Sequence, residues 1–247
     1  MRLTVLGGCG AWPTATQACS GYVVEYDGFR LLVDPGYATL PRLLAHLTVD
    51  AVDAVLVSHG HPDHCADLNP LLRARGLSDE PPPALPVHAP HGALDAVLAL
   101  DRPSMLAAAY RLHEFRPGDR LRIGPFTVGT RLLPHFVPNA GLRISTPQAV
   151  LVYTGDTGPS EDVPRLAEGA DLLLSEATYV HRVPSPGDAP YLLTARLAGR
   201  YARQAGAAGL LLTHLWPGTA TGAALEAAGE AFAGPLGIAA PDLVVDL

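Results

Sequence analysis

Short apolar runs at residues 3–6, 21–25, 30–33, 54–57, 121–123, 126–128, 150–153, 172–174 and 210–212, most of them soon closed by Gly, Pro, Asp or His, constrain this chain more than any other feature. Runs this short and this rich in Val, Leu and Ile predict buried strands. Helix-length segments lie between them at 40–47, 67–75, 92–100, 104–112, 192–204 and 223–233. The alternation predicts an α/β layered fold with helices covering sheet faces. Hairpin-like strands open the chain and return at 121–130, whereas the second half repeats strand-then-helix units. Two sheets packed face to face between helical layers accommodate both patterns. The length of 247 residues predicts one domain spanning 1–247. The Pro-rich stretch 78–86 reads as a solvated connection, because strand and helix signals resume on either side. The Pro- and Gly-rich loop 183–190 reads as a surface crossing or one wall of a pocket.

Composition excludes several classes. Cys9, Cys19 and Cys65 are an odd set with no repeating spacing, which argues against a disulfide framework or a Cys-based zinc knuckle. No stretch reaches the length of a membrane span, and the N-terminal run is too short for a signal peptide, so a cytoplasmic protein with no membrane partner is expected. All 17 basic residues are Arg, against 24 acidic ones, for a net charge of −7. Without a basic run or a basic half, long nucleic acid is not an expected partner, and a small-molecule substrate is.

The chemistry concentrates after the run at 54–57, in His59-Gly60-His61-Pro62-Asp63-His64. Two His one residue apart on an extended strand end point the same way, so both can enter one metal's coordination shell. Asp63 and His64 follow a turn at Pro62 and suit a second metal nearby. Three further candidates sit at the carboxyl ends of apolar runs: His135 after 131–134, Asp156 after 150–155 and His214 after 210–213. Active sites of layered α/β folds collect at that edge. A lone strand-end His is usually a satisfied polar residue; only the joint pattern makes a ligand set. The assignment is His59, His61 and His135 on one metal, Asp63, His64 and His214 on the other, and Asp156 bridging. Imidazole and carboxylate donors predict two Zn2+, with Mn2+ or Fe2+ compatible with the same set. A hydroxide between the metals is the expected nucleophile, with Asp63 placed to accept its proton.

This order of residues resembles the metallo-β-lactamase superfamily, whose hallmark is HxHxDH followed by a His, an Asp and a His. The segments Leu6-Gly7-Gly8, Ser20-Gly21-Tyr22 and Leu32-Val33-Asp34-Pro35-Gly36 resemble its ribonuclease Z-like phosphodiesterase branch, as do Thr154-Gly155-Asp156-Thr157, Glu176-Ala177-Thr178-Tyr179 and Leu212-Thr213-His214-Leu215. The likeness covers nearly the whole chain and implies an αββα sandwich of two mixed sheets between helical layers. It also implies that Asp34 is a buried carboxylate near the site. Two features depart from ribonuclease Z. Only 20 residues separate His135 from Asp156, which leaves no room for a tRNA-gripping arm, and Leu192 stands where the family has a His ahead of Thr-Ala.

The resemblance therefore implies a dinuclear metal-dependent hydrolase of a small phosphodiester, a cyclic nucleotide or a short oligonucleotide. The same hydroxide would serve a lactone, thioester or β-lactam hydrolase, and a non-catalytic metal-dependent binding or sensor protein is the alternative of another class. Glu176, closing the run at 172–174, reads either as an outer partner orienting a ligand His or as a strand-end cap. Cys65 reads as a small buried apolar residue. His88, His91, His113 and His181 read as surface or loop residues. The helices expected at 92–112 present Leu94, Val97, Leu98, Met105, Leu106 and Tyr110, a core face first and a homodimer face second.

Overall fold

Buried runs of Val and Leu carry backbone N–H and C=O groups into the interior with them, and only neighbouring strands can satisfy those groups. The computed structural model describes residues 1–247, apart from the side chain at position 103. Its strands are β1 (Arg2–Gly7), β2 (Gly21–Tyr26), β3 (Phe29–Val33), β4 (Ala54–Leu56), β5 (Leu85–Pro90), β6 (Tyr110–Phe115), β7 (Arg120–Ile123), β8 (Phe126–Leu133), β9 (Asn139–Ser145), β10 (Val150–Tyr153), β11 (Leu172–Glu176), β12 (Leu210–Thr213), β13 (Leu236–Ile238) and β14 (Val244–Asp246). Its helices are α1 (Thr39–Leu43), α2 (Pro62–Cys65), α3 (Leu68–Gly76), α4 (Asp95–Leu98), α5 (Pro103–Leu106), α6 (Asp162–Leu166), α7 (Ala195–Ala205) and α8 (Thr221–Gly229).

Two seven-stranded sheets result, ordered β14-β1-β2-β3-β4-β5-β6 and β13-β12-β11-β10-β9-β8-β7. Both are mixed: β3 to β6 run parallel, as do β10 to β13, and the remaining pairs are antiparallel. Alternation along each strand divides neighbours between layers. Leu31, Leu174 and Leu211 fill the space between the sheets with Tyr22, Phe126 and Leu142. Leu32 and Val55 face outward onto Leu43, Leu68 and Leu72 of the first helical layer. Leu173 and Leu212 face Val163, Ala198, Ala202 and Ala227 of the second. The architecture is the expected αββα sandwich of the metallo-β-lactamase type.

Several expectations need correction. The helix expected at 104–112 stops at Leu106, and residues 110–115 form β6, because Tyr110 to Phe115 pair in parallel with β5 and an edge of the sheet outweighs a short Ala-rich run's helix propensity. The helix expected at 92–100 is the single turn α4. Strands β5, β6, β9, β13 and β14 were not legible. Gly and Pro interrupt β5, β9 and β13, and β14 is three residues long. His88 and His113 are not loop residues; they occupy paired positions on β5 and β6, with rings stacked 4.8 Å apart at 17°. Among the described residues no helix is long and apolar enough to cross a membrane.

Candidate metal centre

The carboxyl ends of β3, β4, β8, β10, β11 and β12 supply the centre. Beyond β4 the chain does not stay extended as expected but bends at Ser58 and again at Gly60, so His59 and His61 reach the same space from a turning loop. His61 itself is extended at φ −70° and ψ 143° ahead of α2, and Pro62 starts the helical turn that carries Asp63 and His64. Gly60 is obligatory between the two His, since a Cβ there would lie 2.4 Å from the Ala93 carbonyl oxygen. His135 follows β8, Asp156 follows β10, and His214 directly follows β12 with a left-handed φ of 56°. Asp34, after β3, has φ 51°. Left-handed backbone in residues other than Gly is costly and persists where surrounding structure holds it.

All seven side chains meet in one cluster with two overlapping quartets: His59, His61, His135 and Asp156, then Asp63, His64, Asp156 and His214. Asp156 is common to both. Its Oδ1 lies 3.2 Å from His64 Nε2, and its Oδ2 lies 3.1 Å from His214 Nε2, 3.6 Å from His135 Nε2 and 3.8 Å from His59 Nε2. Asp63 Oδ2 lies 3.1 Å from His214 Nε2 and 3.6 Å from His64 Nε2. Donor atoms around a tetrahedral zinc at 2.0–2.2 Å are about 3.3–3.6 Å apart, the same range. The second quartet is wholly buried; in the first, His61 is partly open to solvent, whereas the His135 side chain is only 2% exposed.

The outer hydrogen bonds explain which ring nitrogens face inward. His64 Nδ1 donates to Asp34 Oδ2 at 2.8 Å. The Ser58 hydroxyl donates to the same Asp34 oxygen at 2.6 Å, so its oxygen is free to accept from His59 Nδ1 at 3.0 Å. His135 Nδ1 donates to the Tyr191 carbonyl at 3.0 Å. Thr178 donates to Glu176 Oε2 at 2.8 Å and accepts from His214 Nδ1 at 3.0 Å. In each case Nδ1–H is used outward and the Nε2 lone pair is left for the centre. His61 instead turns Nδ1 inward, 3.0 Å from His135 Nε2.

Three buried atoms aimed at this space lack any hydrogen-bond partner: His59 Nε2, His64 Nε2 and Asp156 Oδ1. The latter two are close but misaligned for a hydrogen bond. Unpaired buried polar atoms are costly, and a cation among them is what would satisfy all three. The residues therefore fit a pair of divalent metals with nitrogen and carboxylate donors. The field agrees. Burial alone would depress the imidazoles of His64 and His214, but Asp156 and Asp63 hold His64 well above its usual range and His214 at about 9. Burial would raise the Asp63 carboxyl, yet His64 and His214 hold it below its ordinary value; Asp156 is held well below by His214 and His64 against the same burial. Burial lowers His59, His61 and His135.

Glu176 touches no His directly. It accepts the amides of Thr157 and Leu193 at 2.8 and 2.7 Å as well as the Thr178 hydroxyl, and burial followed by repulsion from Asp156 raises it to about 7. Leu192 is a buried apolar residue beside this network. Sequence reasoning missed Ser58, Thr178 and Tyr153, whose hydroxyl donates to Asp34 at 2.9 Å, and the Ala11 amide, which donates to Asp63 Oδ2 at 2.8 Å. Thr178 stood within a segment already singled out; backbone partners leave no trace in a sequence.

Residues 29–215 match the family model described as a beta-lactamase superfamily domain. The probable metallo-hydrolase YhfI of Bacillus subtilis (strain 168) is 32% identical over 222 residues, covering 87% of both chains. Its crystal structure, described as a metallo-beta-lactamase fold protein, superposes with a TM-score of 0.89 over 99% of each chain at 31% identity. A ribonuclease Z of Kineococcus radiotolerans is 29% identical over 263 residues, covering 86% of this chain and 82% of its own. Human tRNase Z, short form, shares the fold at a TM-score of 0.80, 22% identity and 100% and 99% coverage. With a family model spanning most of its length and both sheets in place, the chain belongs to the beta-lactamase superfamily.

Proposed function

We propose that this chain is a single-domain dinuclear zinc hydrolase acting on a small phosphodiester. The observation that carries this reading is the pair of quartets sharing Asp156, with unsatisfied buried donor atoms facing the space between them. When bound, two divalent cations would lower the pKa of a water toward neutrality and offset negative charge building on the attacked phosphorus. Asp63 has one oxygen, Oδ2, fixed by the Ala11 amide, which leaves Oδ1 as the atom to receive a proton from the attacking water. Four of the five His rings, His59, His64, His135 and His214, arrive pre-oriented by Ser58, Asp34, Tyr191 and Thr178, so these four need little rearrangement on binding. Substrate approaches from the side of His61, the partly open member of the cluster. The likeness to ribonuclease Z supports the phosphodiester class, and the short β9–β10 connection between His135 and Asp156 supports a small substrate over tRNA.

Metal analysis with kinetics tests this. Wild type is expected to hold about two zinc ions per chain and to hydrolyse bis(p-nitrophenyl) phosphate. His61→Ala should retain about one ion, because the second quartet is complete without it, whereas Asp156→Ala, common to both quartets, should lose both. Fewer than about two ions in saturated wild type, or turnover of lactones and thioesters with none of phosphodiesters, rejects the reading.

A further inference from the structure

The exposed large aromatic side chains among the described residues are Trp12, Tyr37, Phe136 and Tyr191. All four lie on loops beside the metal centre; among the exposed aliphatic side chains Leu132, near the end of β8, borders the same cavity as Phe136. Trp12 follows Ala11, whose amide holds Asp63. Trp12 packs 5.8 Å from Trp216, two residues past His214, and Trp216 packs 5.2 Å from Tyr179, which follows the Thr178 that holds His214. On the other side Phe136 lies 5.2 Å from the His135 ring and 4.9 Å from Tyr191, whose carbonyl holds His135. One aromatic cluster thus stands beside each quartet. Trp12 and Phe136 are 49% and 50% exposed, a loss of burial that packing alone does not explain.

A cavity adjoins each cluster. One, of about 470 Å³, is bordered by Trp216, Thr14, Gln17 and Thr219 and has no charged residue in its wall. The other, of about 580 Å³, is bordered by His135, Phe136 and Ser160, and its Asp162 is paired with Arg131 at 3.1 Å. Both volumes suit a nucleoside-sized group. Neither wall offers a free cation, so a further phosphate would find no partner on either side, in contrast to polynucleotide sites that join aromatic platforms to a basic groove.

We infer that the two aromatic clusters are base platforms and that the substrate is a dinucleotide, with one nucleobase stacked beside each quartet and its single phosphodiester at the metals. This rests on the phosphodiesterase reading above. The step is ordinary hydrolysis: water's oxygen bonds to phosphorus, the P–O bond to one nucleoside breaks, and that nucleoside leaves as an alcohol carrying a proton.

Rates for a deoxyadenosine dinucleotide are compared with those for analogues carrying an abasic ring on the 5′ or the 3′ side, using the metal-loaded enzyme. Each deletion is expected to lower kcat/KM about ten- to a hundredfold. Trp216→Ala should lower the intact rate comparably yet leave unchanged the analogue lacking the base on its side, and Phe136→Ala should do the same for the other side. Trp216→Phe and Phe136→Leu preserve bulk and guard against misfolding; the first should keep most of the rate and the second should lose it. Trp12 and Trp216 are the only Trp residues, so their fluorescence reports one platform directly. A non-hydrolysable methylenephosphonate dinucleotide should quench it, and the analogue abasic on that side should not. Equal rates for intact and abasic substrates, variants that slow every substrate alike, or a cyclic mononucleotide hydrolysed as fast and sensitive to one platform only, overturn the inference. If bis(p-nitrophenyl) phosphate is hydrolysed in those cases, the inference alone fails; if no phosphodiester is hydrolysed, the reading beneath it fails.

Discussion

His214 sits in left-handed backbone with its ring pinned between Thr178 on one nitrogen and the two carboxylates on the other. A ring so placed depends on its outer partner, because loss of Thr178 frees both the tautomer and the ring rotation. Thr178→Ala is expected to weaken zinc binding about 10- to 100-fold, measured by competition with a chromogenic chelator, and Thr178→Ser should restore most of it. An unchanged affinity would show that the backbone alone positions His214. The residue scale is also where the sequence was most legible. Three imidazoles and a carboxylate within His59 to His64 signal metal chemistry with no knowledge of the fold, because few other roles tolerate such density. Their outer partners were only partly legible: Asp34 and Glu176 are charged residues at strand ends, but Ser58, the Tyr191 carbonyl and the Ala11 amide are ordinary groups made special by proximity.

Helices α7 and α8 cover the second sheet, and Gly199 lets them approach closely. A Cβ at Gly199 would lie 2.2 Å from the Ala228 carbonyl oxygen. In an isolated helix Gly→Ala stabilises by roughly 1 kcal/mol, so the sign of this substitution reports the packing. Gly199→Ala is expected to destabilise by about 1–3 kcal/mol and to lower Tm by several degrees in thermal unfolding. A rise in Tm would mean that the two helices can separate freely. Element existence was legible where a run was apolar and uninterrupted, as in β10 and β12. It was not legible where pairing supplied what the local sequence lacked, as in β6 against β5 and in β9, whose Asn139, Ala140 and Gly141 carry no strand signal of their own.

On the scale of the molecule, His88 links pH to stability through the first sheet. Burial, with the stacked His113, lowers the His88 imidazole to about 4, so it is neutral in the folded protein at pH 6. The unfolded chain binds that proton near pH 6.5, and the folded chain resists it until about pH 4. Stability from this site is therefore present above pH 6.5 and is lost as pH falls toward 4. Allowing for partial exposure, the loss is roughly 1 kcal/mol. Denaturant unfolding of wild type against His88→Gln between pH 7 and pH 4 measures it, and parallel stability curves would refute it. The sequence by itself determined the candidate metal-ligand residue types, the alternation that demands a layered α/β fold, and the family, because periodicity and residue chemistry are local properties. Only the tertiary structure decided which ring nitrogens face inward, which loops carry aromatic rings to the rim, and how Asp156 comes to serve both quartets. Those depend on strand ends from two sheets meeting at one edge, where contacts join residues more than a hundred positions apart, such as His214 and Asp63.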